Sequence, residues 1–240
     1  MPAYVLASAA IAPEAVVCNG PESIDTSRLS GSSDLHARDY FSKPFPKFGR
    51  MDPLARLAVA TAELISKASG EFAGLDRSSV AQVGGSMLGC LAADAAYEAS
   101  RQAGQASPAK FVYTLPSMFQ GEIAIRHGLQ GRCTMLSAGH SSALQALVTG
   151  VRWIEKQRAE SVLVVVADAG TQAHSAAWLL AASGEGLNFS DVRTHSADGL
   201  KLEKGNWPNG LAYVEALVSP EIYGPVYCEE TGYGLSVSMR

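Results

Sequence analysis

The sequence predicts a layered α/β domain, because helical and strand periods alternate along most of the chain and one strand candidate is apolar without a break. That run is Val162-Leu163-Val164-Val165-Val166-Ala167. A strand with one wet face alternates apolar and polar residues, so a continuous run marks burial on both faces of a mostly parallel sheet. Of the 240 residues, 47% are hydrophobic and 18% charged, enough apolar material for a sizeable core. No internal repeat or low-complexity linker divides the chain, so one domain over residues 1–240 is expected.

Residues 3–9 read as the first core strand. The polar Ser- and Gly-rich residues 19–33 and the Phe-, Pro- and Lys-rich residues 40–48 read as loops. Asp52-Pro53 then starts a helix. Asp can accept a first-turn N–H, and Pro lacks an N–H only where none is needed; Leu54, Leu57, Ala58, Ala62, Leu64 and Ile65 recur at helical spacing up to Gly70. Residues 80–87 form a strand candidate, 91–102 a helix and 117–127 a short helix, followed by strand 133–137, helix 141–157 and strand 161–167. Beyond Asp168, residues 173–182 read as one helix, 183–209 as a polar loop, and 211–218 and 224–237 as strands that close the sheet.

Several function classes fall away on composition. Nineteen basic against 23 acidic residues give a net charge of −4, without a basic stripe, which argues against nucleic-acid binding. The apolar residues 4–17 lack a preceding Lys or Arg and are interrupted by Pro13 and Glu14, so a cytoplasmic protein is expected. No other stretch approaches the ~20 apolar residues of a membrane span. Cys18, Cys90, Cys133 and Cys228 show no close pairing, and His36, His174 and His195 no ligand spacing, so neither metal nor cofactor is expected. Gly84-Gly85 lacks the Lys-Ser/Thr of a phosphate loop. His127, closing its helix, reads as a residue near the negative end of the helix dipole.

The chemistry-bearing segment is Cys133-Thr134-Met135-Leu136-Ser137-Ala138-Gly139-His140-Ser141-Ser142-Ala143, a strand, a tight turn and a helix. Such a turn aims one side chain outward. Gly139-His140-Ser141-Ser142-Ala143 comes close to the Gly-x-Ser-x-Gly elbow of α/β-hydrolases, with Asp168 and His195 following in triad order, so a serine hydrolase using Ser141 is the alternative reading. Against it, Asp168 follows the very next strand and no oxyanion-loop motif precedes the turn.

Phe48-Gly49-Arg50-Met51-Asp52-Pro53, Val83-Gly84-Gly85-Ser86, Ser107-Pro108, Ser117-Met118-Phe119-Gln120-Gly121-Glu122-Ile123-Ala124-Ile125 and Arg126-His127-Gly128-Leu129-Gln130-Gly131 stand in order ahead of that turn. Together they resemble the N-terminal half of β-ketoacyl synthases over roughly residues 45–170, and a half-length chain of this kind is similar to the short chain-length factors of aryl-polyene-type biosynthesis. The resemblance implies a single thiolase-like half, βαβαβαββ. It puts the family's reactive cysteine at His140 and its two catalytic histidines in a C-terminal half that this chain stops short of. No catalytic residue is then expected. An imidazole cannot hold a growing chain as a thioester, and His140 becomes a plug in the nucleophile position. The implied partners are an active ketosynthase, paired as a heterodimer through the strand of residues 133–137, and an acyl carrier protein reached through that complex. Ser117, Met118, Phe119, Gln120, Met135 and Ser137 are the interface or tunnel residues so implied, with Phe119, where the family usually has a small residue, as a stopper on the acyl tunnel.

Overall fold

The computed structural model describes residues 3–72, 74–170 and 172–184, with His140 by its backbone alone, and the backbone of 187–193, 200–202, 224–228 and 233–239. The elements are β1 (Ala3–Ile11), β2 (Val16–Asn19), α1 (Ala37–Tyr40), α2 (Pro53–Ala68), β3 (Ala81–Gly85), α3 (Leu91–Gln102), α4 (Pro108–Phe111), α5 (Met118–His127), β4 (Cys133–Leu136), α6 (Ser142–Glu155), β5 (Ser161–Asp168), β6 (His174–Ala181), β7 (Leu187–Arg193), β8 (Leu200–Leu202), β9 (Gly224–Cys228) and β10 (Tyr233–Met239).

One sheet carries all ten strands in the order β4-β3-β5-β6-β1-β7-β10-β9-β8, with β2 added on β1. β3 runs parallel to β4 and β5, and β6 runs antiparallel to both β5 and β1. It follows that β1, β3, β4 and β5 point one way and β6 the other. With α2, α3 to α5, and α6 as the successive connections, residues 3–181 make the βαβαβαββ half that the resemblance implies.

All eight residues of β5 are buried, as its unbroken apolar run predicts. Leu163, Val165 and Ala167 enter one core with α2 and α5, while Val162, Val164 and Val166 enter a second with α6. α2 starts where Asp52 Oδ1 accepts the Ala55 N–H at 2.9 Å. Its apolar residues cover one face of the sheet, and alanines at positions 55, 58, 60, 62 and 68 let the backbone approach closely.

The region after Asp168 departs from expectation. Residues 173–182, read as a helix, hold strand β6 over 174–181, buried at every position between β5 and β1. Its alanines and leucines favour a helix locally, but the segment has no polar face, and pairing with two strands satisfies its backbone instead. β7 and β8 lie within what reads as a polar loop, β2 follows the Pro13-Glu14 break, and the strand expected over 224–237 is the antiparallel pair β9 and β10. The strand expected over residues 211–218, together with His195 and Trp207, lies outside the described residues.

Candidate functional site

After Leu136 the chain leaves β4 and makes one tight turn, Gly139–Ser141, before α6. Gly139 has φ +57, a left-handed conformation that a side chain disfavours, while a Cβ there would meet nothing within 4 Å. Backbone shape, not space, therefore calls for glycine. Ser142 Oγ accepts the Ala138 N–H at 2.9 Å and lies 2.7 Å from Gly139 O and 3.0 Å from Ser86 O, either of which can take its proton. Ser137 Oγ donates to the same Ser86 carbonyl at 3.2 Å. The backbone of His140 is held at the centre of this turn.

Ser86 links the turn to Asp168. The Asp168 carboxylate accepts from Ser86 Oγ at 2.7 Å, Leu88 N at 2.8 Å and Met87 N at 3.1 Å, and Ser86 Oγ in turn accepts the Gly89 N–H at 2.8 Å. His174 Nε2 stands 4.0 Å away, beyond a hydrogen bond. Loops from the C-terminal ends of β3, β4 and β5 are thus pinned together.

This geometry corrects the serine-hydrolase alternative. Ser141 is 4% exposed; its hydroxyl donates to Ala138 O at 2.8 Å and accepts from Gln145 Nε2 at 3.0 Å. Asp168 is committed to residues 86–88, and among the described residues no histidine bonds Ser141. The described thiols are disfavoured as nucleophiles too. Burial raises the Cys18 thiol to about 11 and also raises Cys133, and Cys90 is raised by burial and then by Asp94, so each favours the unreactive thiol.

The six expected interface or tunnel residues divide. Ser117 and Ser137 are exposed, Met118 and Met135 half-buried, and Phe119 and Gln120 buried. Phe119 is 1% exposed and belongs to the core shared by α2, α5 and β5. It lies on the inward stripe of α5 with Gln120, Ile123 and His127, where its ring serves packing. Sequence spacing alone misses this, since a bulky residue in place of a small one carries no direction.

β4 ends the sheet among the described residues. Gln82 N donates to Arg132 O and Ser86 N to Leu136 O, so in this parallel ladder the even-numbered residues of β4 face β3. Cys133 and Met135 therefore turn N–H and C=O toward the open edge. Phe111, Val112 and Leu115, between α3 and α5, are exposed apolar residues.

Two ion clusters fasten residues 41–48 to α5. Glu122 contacts Lys47 Nζ at 2.5 Å and Tyr113 OH at 3.1 Å; burial, then the Glu122 charge, pushes Tyr113 to about 12. Glu63 on α2 takes Arg126 in two bonds of 2.6 and 2.8 Å, with the guanidinium over the Phe41 and Phe45 rings. His127 ends α5 as expected, but burial lowers it to about 4, outweighing both Glu63 and the helix dipole. Sequence analysis missed these clusters, since their partners lie far apart in the chain.

The sequence profile of the β-ketoacyl synthase N-terminal domain matches residues 22–199. The chain belongs to that family. A chain from the structure of the ketosynthase ApeO in complex with its chain length factor ApeC, from Xenorhabdus doucetiae, is 18% identical, with a TM-score of 0.67 over 99% of both chains. The ishigamide ketosynthase/chain length factor is 18% identical, with a TM-score of 0.63 over 80% of this chain and 67% of the other. A chain of AntDE:AntF, a type II polyketide acyl carrier protein in complex with its ketosynthase bound to the hexaketide, is 14% identical, with a TM-score of 0.58 over 75% of this chain and 62% of the other. At these identities the likeness is one of fold. A search of curated proteins found no match. In this ketosynthase-family domain, no helix among the described residues is long and apolar enough to cross a membrane.

Proposed function

We propose that this chain is a non-catalytic chain-length factor, which pairs with an active ketosynthase and shapes the tunnel in which that enzyme extends an acyl or polyene chain. The observation that carries the reading is a hydrogen-bonded turn with His140 at its centre, where the family resemblance puts the reactive cysteine. Condensation needs a thiolate to hold the chain as a thioester, and the described thiols have raised pKa values. A fold neighbour from a ketosynthase and chain-length-factor complex, coextensive with this chain, supports the same reading. So does the open edge of β4. Unpaired N–H and C=O groups at Cys133 and Met135 invite a further strand, and Ser117, Met118 and Ser137 are the accessible members of the proposed contact. An acyl carrier protein would engage the complex and not this chain alone.

The test incubates the purified chain, alone and with the ketosynthase encoded beside it, with malonyl and acyl carrier proteins, followed by intact-mass spectrometry. Expected is acylation of the ketosynthase only. A stable acyl adduct on residues 137–142 of this chain would overturn the reading.

A further inference from the structure

We propose that Gln120 is a recognition residue of the β4 edge, whose side-chain oxygen accepts a hydrogen bond from a long donor side chain on the docking strand. The inference rests on the reading that a ketosynthase docks on β4. Gln120 is 2% exposed, and its Nε2 donates to Thr134 O at 2.9 Å. Its Oε1 has no hydrogen-bond partner among the described residues. Leaving a buried acceptor unpaired is unfavourable, so such an atom calls for a donor that the isolated chain does not supply.

Two other buried side-chain atoms among the described residues share this condition, Gln82 Oε1 and His127 Nε2. Gln82 lies on β3, inside the sheet, and His127 Nε2 is 3.7 Å from Glu63 Oε2, between α2 and α5. Of the three, Gln120 has the side chain that hydrogen-bonds the strand that ends the sheet. A Cβ at Gly84 would come within 2.7 Å of both the Gln120 amide carbon and Met135 Sδ, so the amide rests on Gly84 beside the half-buried Met135. Methionine is unbranched and can swing aside, which opens the amide to the edge.

The distance selects the donor. Strands lie about 4.8 Å apart, so an amide above the gap between β3 and β4 is roughly 7 Å from the axis of a strand added outside β4. Gln, Lys or Arg spans that; Ser or Thr does not. The partner chemistry is therefore an amide, ammonium or guanidinium on the docking strand, on the α5 face and opposite Met135.

The experiment titrates the ketosynthase encoded beside this protein with the unaltered chain and with Gln120→Met, which keeps the size and removes the acceptor. Expected is a folded variant, its melting temperature lowered by no more than the loss of the Thr134 contact implies, that binds about three- to tenfold more weakly. Equal affinity from a folded Gln120→Met overturns the inference and leaves the docking reading intact; failure of the unaltered chain to bind overturns both. Should Gln120→Met not fold, a crystal structure of the unaltered complex decides. A partner donor within about 3.2 Å of Gln120 Oε1 upholds the inference, and an Oε1 facing only water or apolar groups ends it.

Discussion

In the turn after β4, a carbonyl, three hydroxyls and a carboxylate hold each other and the backbone: Ser86 O takes Ser137 and Ser142, and Asp168 takes Ser86, Met87 and Leu88. In β4 itself, one residue upstream, Cys133 and Met135 turn their backbone groups to an edge with no strand beside it among the described residues. The contrast teaches how, on the proposed reading, a ketosynthase half could give up its chemistry and keep its shape. The turn needs no thiol to stay ordered, because its fixing bonds come from serines and Asp168. Among the described residues nothing pairs with that edge, which is where the proposed partner would dock.

Core and turn variants should act on the fold, edge variants on assembly. Phe119→Ala should cost about 3–5 kcal/mol in urea unfolding by emptying a packed site. It should leave product length alone; a longer product from an intact complex would restore Phe119 to the tunnel. Asp168→Ala, which strands the Ser86 hydroxyl and two backbone N–H groups, should cost about 3 kcal/mol and raise hydrogen exchange at Met87 and Leu88. An unchanged melting temperature would mean the turn does not depend on this carboxylate.

Thr134→Pro and Met135→Pro sharpen the comparison within one strand. Pro at 134 removes a donor to β3 and should cost roughly 3 kcal/mol, whereas Pro at 135 removes an edge N–H and should barely move the isolated chain. Equal losses would show the edge assignment to be wrong.

The pH dependence gives a smaller effect. His127 titrates near 6.5 when unfolded but at about 4 in the fold, so protonation favours the unfolded chain and stability declines as pH falls through that window. Between pH 7 and pH 5 this group should account for about 2 kcal/mol. His127→Leu should lose correspondingly less than the unaltered chain over the same range, read by urea unfolding at both values.

The sequence made the first half of the fold legible because the signals there are local. The Asp52-Pro53 cap, the β5 apolar run and the motif order at residues 48–143 each depend on near neighbours. β6 was hidden, since Ala and Leu carry helical propensity and only the two flanking strands decide otherwise. At the site, the turn and its histidine could be read from the motif. The direction of Phe119, the Asp168 hub and the orphaned Gln120 oxygen could not, because each depends on which face of α5, or which distant loop, packs against the sheet.

The central claim is that this chain docks on a ketosynthase through the open edge of β4. Size-exclusion chromatography with light scattering tests it most directly, on equimolar mixtures of that ketosynthase with the unaltered chain and with Met135→Pro. The account predicts a one-to-one heterodimer for the unaltered chain and two separate peaks for a folded Met135→Pro. A mixture that never associates, or a Pro variant that still co-elutes at full stoichiometry, would contradict it.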